Sequence, residues 1–139
     1  MDLTKKENDY IFGKSEEDKL YKTIKATFSN DLERTKERYD RYDYISNNYK
    51  IELKSRAILS TDYKEVYISY SKIDFYKNNY SNSHKLILVF NYIDKLLYIQ
   101  YDDEIFKNFK INHQNTRRDY KYIDTVIYIP INLLKEIKK

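Results

Sequence analysis

Asp43, Glu52 and Lys54 are the residues of this chain whose types and spacing suit chemistry. Glu52 and Lys54 stand two apart in "YKIELKS", an alternating segment. In an extended strand they share one face, while Ile51 and Leu53 take the other. Asp43 precedes Glu52 with eight residues between them, across the polar stretch "SNN". A hairpin turning there brings the Asp43 carboxylate beside Glu52. Two hard oxygen ligands suit Mg²⁺, or Mn²⁺ in its place, with waters and a substrate phosphate completing the shell. A neighbouring ammonium orients or helps to deprotonate a metal-bound water and stabilises developing charge. Those parts suffice to hydrolyse a phosphodiester bond.

The elements that must position these groups are legible as patterns. Residues 15–37 read as a helix with a capping-box-like start at Ser15 and Asp18. Leu20, Tyr21, Ile24, Phe28 and Leu32 form its apolar stripe. At 100° per residue, Glu17 falls in the middle of that stripe and Glu16 about 100° away. An acid centred on an inward face is costly unless a cation or metal is near, so Glu17 is a candidate fourth member of the site. A place in the first helical turn, where acids favour the dipole, is its plainer explanation. Strands are expected at 42–45, 49–55 and 65–70, then a short helix from Ser71 to about Tyr80. "KLILVFNYI" and "LLYIQY" read as a hairpin around Asp94-Lys95, and "DEIFKNF" as a helical turn. Residues 111–122 read as a polar, basic irregular segment. "DTVIYIPI" reads as a further strand, ending near Pro130. Asn132 is expected to cap a final helix, "LLKEIKK". The sum is one mixed α/β domain over residues 1–139 with a central sheet flanked by helices.

Asp43 followed by Glu52-Leu53-Lys54 resembles the motif of the PD-(D/E)XK nucleases, the superfamily of restriction endonucleases, resolvases and phage or viral exonucleases. The resemblance implies a restriction-endonuclease-like fold: a helix, a three-stranded antiparallel unit carrying the motif, a second helix, and a fourth strand beside the sheet. The expected element order agrees with it through about residue 93. It implies a Mg²⁺-dependent nuclease with Asp43 and Glu52 as metal ligands and Lys54 as the catalytic lysine. Many members carry a matching acid on the first helix, here Glu17. The Pro of the motif's name is absent, since Arg41-Tyr42 precede Asp43. A solvated hairpin face with a cross-strand ion pair would account for Glu52 and Lys54 alone. It gives no reason for Asp43 and Glu17 to converge on them.

Cations set around this motif are candidates for the nucleic-acid backbone. Arg56 continues the polar face beyond Lys54. Lys72 sits at the start of the second expected helix, where a cation opposes the dipole and a phosphate would offset it. In "NTRRDYKY", Arg117, Arg118 and Lys121 interleave with Tyr120 and Tyr122, a pattern suited to phosphates and stacked bases.

Composition narrows the classes without choosing among them. The 139 residues carry a net charge of +4 with no long block of one sign, which permits a polyanionic partner without demanding one. With no cysteine, disulfides, thiol nucleophiles and Cys-based zinc sites are excluded. No apolar run approaches the roughly 20 residues that span a bilayer, and the N-terminus lacks a signal peptide's apolar core. A cytoplasmic protein is expected, without a membrane partner. Its compactness and its bias to Lys, Asn, Tyr and Ile suggest a virus, phage or other mobile element. DNA is the expected substrate, with RNA as the second polymer, and a homodimer would enlarge a small binding surface. Two alternatives keep the fold class but not the chemistry: a catalytically inactive nuclease-fold module that binds nucleic acid or protein, and a structural virion protein with a tyrosine-rich contact surface.

Overall fold

A computed structural model describes residues 5–35, 41–114 and 124–138, with backbone alone at 5–14, 16, 17 and 114. The elements begin with α1 (Lys5–Phe28), β1 (Glu33–Arg34), β2 (Tyr44–Ile45), β3 (Tyr49–Ser55), β4 (Glu65–Ser69) and α2 (Tyr70–Asn79). They continue with β5 (Lys85–Asn91), β6 (Leu96–Gln100), α3 (Asp103–Phe106), β7 (Ile111–Gln114), β8 (Asp124–Pro130), a 3-10 turn (Ile131–Leu133) and β9 (Lys135–Ile137).

The run "LILVF" sets the centre of the fold. β5 is buried at every position after Lys85, as a strand covered on both faces must be. It pairs parallel with β3 and antiparallel with β6. Among the described residues the resulting sheet has six strands, in the order β1-β2-β3-β5-β6-β9. One face packs Leu20 and Ile24 of α1 against Ile51, Leu53, Ile87 and Val89. The other packs Leu86, Leu88 and Phe90 against α2 and against a second, three-stranded sheet in the order β4-β8-β7. The molecule is mixed α/β, with α1 on one side of the main sheet and α2 with the small sheet on the other.

Five expectations are corrected. The segment expected to be irregular over 111–122 opens with β7, which pairs with β8 because Ile111 and its neighbours find the open edge of that strand, and residues 115–122 lie outside the described residues. The first helix starts at Lys5 and ends at Phe28 rather than spanning 15–37. Ser15 is therefore interior and caps nothing, because 5–14 opposes a helix only at Gly13, a cost of about 1 kcal/mol. Ser29-Asn30-Asp31 turns the chain, with Leu32 N–H donating to Ser29 O at 3.2 Å. Leu32 is still fully buried in the α1 cluster. The strand expected at 65–70 does not complete the antiparallel unit beside β3. β5 takes that edge in parallel, and β4 pairs with β8 instead. The short β1 is the third member of the antiparallel unit. The second helix starts at Tyr70 behind Ser69, with no side-chain cap, rather than at Ser71. Finally, "LLKEIKK" is not a helix: β9 pairs with β6 and buries Ile137 against Leu96. A seven-residue helix is too short to be stable by itself, and the open edge of β6 gives these residues a ladder.

Candidate functional site

The hairpin that positions the site forms as its turn chemistry dictates. Ser46 N–H donates to Tyr49 O at 3.0 Å, and the Ser46 hydroxyl oxygen accepts from the N–H groups of Asn48 and Tyr49. The register sets Tyr44 against Ile51. One residue further the ladder breaks. Tyr44 packs in the α1 cluster, yet Tyr42, two positions earlier, packs in the α2 cluster. A regular strand would keep both on one face, so the chain changes sides at Asp43. Asp43 N–H still donates to Ile51 O at 3.0 Å, while its Oδ2 accepts from Leu53 N–H at 2.7 Å. The carboxylate thus takes the place of the backbone carbonyl that β2 would have offered next.

Glu52 lies between those two β3 residues. Ile51 and Leu53 are buried beneath α1, so alternation turns Glu52 and Lys54 to the α2 side. The Glu52 side chain is only 12% exposed, and among the described residues its Oε2 is buried without a hydrogen bond. Burial and the Asp43 charge push its carboxyl up to about 8, against the pull of Lys72 and Lys54. Lys54 is exposed at the edge of the site.

Lys72, in the first turn of α2, is the counter-charge. Its Nζ lies 3.5 Å from Glu52 Oε2, donates to the Arg41 carbonyl, and stands 5.9 Å from the Tyr42 ring centroid. The Tyr42 hydroxyl donates to Lys72 O at 2.8 Å. Burial and the nearby Glu52 charge push that phenol well above the ordinary tyrosine range. Tyr42 thereby ties the bend at Asp43 to α2, and α2 places an ammonium beside Glu52.

Of the sequence candidates, Asp43, Glu52, Lys54 and Lys72 come together here. Lys72 points at a carboxylate, a role its sequence position did not disclose. The part of Tyr42 was missed, and an aromatic one residue before the acid is its only signal. Arg56 lies beyond β3, half-buried, donating to Tyr67 O at 3.2 Å. Glu17 lies in α1, and its side chain is outside the described residues, as are Arg117, Arg118 and Lys121 altogether. The described part of α1 packs on the sheet face opposite Glu52. Among the described residues no three acidic or histidine side chains cluster as a metal cage.

The acid pair nevertheless fits a hard divalent ion. Two carboxylates are close enough to raise Glu52, and one buried oxygen lacks a hydrogen bond, which a small cation would satisfy with waters completing its shell. No protein-family model, curated protein or solved structure matches the chain. Among the described residues no helix is long and apolar enough to cross a membrane.

Proposed function

We propose that the chain is a Mg²⁺-dependent nuclease of the PD-(D/E)XK type that hydrolyses phosphodiester bonds in DNA. The observation that carries this reading is the convergence of Asp43 and Glu52 at a break in the hairpin, with Lys54 beside them on the same sheet face as Glu52. The element order supports it as well. α1, the antiparallel β1-β2-β3 unit, α2 and then β5 parallel to β3 follow the order the resemblance implies, with β4 inserted before α2.

Asp43 and Glu52 would hold the metal, and Glu17 is the candidate third acid. A divalent ion bound there would lower the pKa of a coordinated water and neutralise charge on the phosphate. Glu52 must give up its proton to serve as a ligand, so ion affinity rises with pH up to about 8. Lys54 orients the attacking water and stabilises charge that develops on the phosphate oxygens. Lys72, 3.5 Å from Glu52 Oε2, would supply a second positive charge beside a substrate phosphate.

The contact of Lys72 with Glu52 favours a second reading, a non-cutting module of the same fold. An ammonium already stands 3.5 Å from the carboxyl oxygen that a metal would need. Metal binding separates the two. Under the nuclease reading, Mg²⁺ or Ca²⁺ at a hundred times Kd stabilises the fold by about 2.7 kcal/mol, read as a rise of several degrees in Tm. Asp43→Asn removes the rise, Glu17→Gln weakens it, and Glu16→Gln leaves it intact. An unchanged Tm in saturating Mg²⁺ and Ca²⁺ would favour the non-cutting module.

A further inference from the structure

Beyond the end of β3 a second site opens, away from the acid pair. Arg56 N–H donates to Asn91 O at 2.8 Å, continuing the extended course of β3. Arg56 lies four positions beyond Glu52 along an extended chain, roughly 13 Å. There a groove of about 480 Å³ is lined by Arg56, Tyr63, Lys64, Tyr67, Tyr92 and Tyr128, among others. Its volume suits a nucleotide-sized ligand.

The chemistry of its walls is specific. Tyr67 and Tyr128 face each other across β4 and β8. Their neighbours Val66, Ile68, Ile127 and Ile129 fill the core, so alternation turns both tyrosines outward. The outer face of a small antiparallel sheet is usually polar, whereas here it presents two rings 5.9 Å apart. The Arg56 guanidinium stands 5.0 Å from the Tyr67 ring centroid, and Lys110 Nζ 5.4 Å from that of Tyr128. Arg56 and Lys64 outnumber Glu65, the one acid in the lining. Tyr63, at the rim, is 68% exposed.

The loop that carries Tyr63 is pinned. Both carboxylate oxygens of Asp94 accept from Ser60, one from its N–H at 2.8 Å and one from its hydroxyl at 2.7 Å. Leu59 N–H donates to Asp62 Oδ2 at 2.9 Å, and Ile131 N–H to Lys64 O at 2.9 Å. A pre-ordered aromatic wall loses little entropy when it takes up a ligand.

We infer that this groove stacks the bases of a single-stranded stretch of nucleic acid, with Arg56 and Lys64 on its phosphates. The choice of nucleic acid as occupant rests on the nuclease reading. An exposed tyrosine, Tyr63, and the half-buried rings of Tyr67 and Tyr128 beside cations are the parts from which sequence-tolerant single-strand sites are made, because every base has a face to stack. A duplex cannot enter, since its bases are already stacked on one another. The substrate class is therefore DNA with a single-stranded arm, such as a frayed end or a flap, reaching from the acid pair into the groove.

Fluorescence anisotropy in EDTA, with a labelled oligothymidine and a duplex of equal length, tests this without any cleavage. Tyr63→Ala and Tyr67→Ala are each expected to weaken single-strand binding about 5- to 100-fold and to leave duplex binding unchanged. Tyr63→Phe keeps the ring and should retain wild-type affinity. Tyr63 is an exposed loop residue, so its variants stay folded even where Tyr67→Ala does not. Equal losses for single strand and duplex, or wild-type single-strand affinity in Tyr63→Ala, would overturn the inference. So would an absence of oligothymidine binding by the wild-type chain. Tyrosine-dependent binding by a chain that never cuts would instead sink the nuclease reading and leave this one standing.

Discussion

Glu52→Gln is expected to abolish cleavage and to stabilise the metal-free protein. The sign follows from the raised carboxyl. Glu52 sits at about 8 in the folded chain against an ordinary 4.5. Between those pH values the folded state keeps a proton that the unfolded chain has released. Stability is then fully present below about pH 4.5 and falls as pH rises through about 8. The slope is at most about 1.4 kcal/mol per pH unit, so the loss by pH 8.5 is on the order of a few kcal/mol. Glutamine has nearly the same shape and cannot ionise. The variant should therefore lack this slope and exceed wild type in stability at pH 8.5 by a similar amount. Urea denaturation at pH 5 and pH 8.5, in EDTA, checks it. Identical pH slopes for the two proteins would mean that Glu52 is not held protonated by burial and Asp43. Cleavage by the variant should fall to the metal-free background, because Mg²⁺ is held mainly through one or two carboxylates and the amide brings no negative charge. A group that weakens the fold as an ion and is needed as an ion is the mark of a functional residue.

Lys54→Ala is expected to lower the single-turnover cleavage rate by about 10²–10⁴-fold, the range for a positioned proton-transfer or charge-stabilising group. Substrate affinity should change less than tenfold. The exposed position of Lys54 keeps its loss from leaving an unpaired buried group, so stability should be nearly unaffected. A loss confined to affinity, with the chemical step intact, would make Lys54 a phosphate contact. Lys72→Ala gives a useful contrast, because it strips the buried Glu52 of its nearest cation and should lower stability.

The parts of the fold and site legible in the sequence were those fixed by local pattern. Alternation in "YKIELKS" put Glu52 and Lys54 on one face, and the Ser46 turn brought Asp43 to them. The apolar run at 85–91 identified β5 without its parallel partner. Strand pairing was harder to read because it depends on which edge is left open. "EVYIS" has the same pattern whether it extends the main sheet or pairs with β8 in a second one. "LLKEIKK" carries a helical spacing that the free edge of β6 overrides. Lys72 stands out in the sequence by its position. Its place against the helix dipole marked a cation held by something negative, and that partner is Glu52 rather than a phosphate alone. The outward tyrosines of β4 and β8 were present as Tyr67 and Tyr128. Only the pairing of the two strands set them face to face.

The most direct measurement is cleavage itself. Wild-type protein and Asp43→Ala, purified in parallel, would be incubated with circular, linear, single-stranded and branched DNA in Mg²⁺, Mn²⁺ or EDTA. The account predicts hydrolysis of at least one of these DNAs by wild type in Mg²⁺ or Mn²⁺, with the greatest rate on molecules that carry single-stranded arms. It predicts none in EDTA and none by Asp43→Ala. No hydrolysis of any of the four DNAs in either metal, or cutting by Asp43→Ala at the wild-type rate, would contradict it.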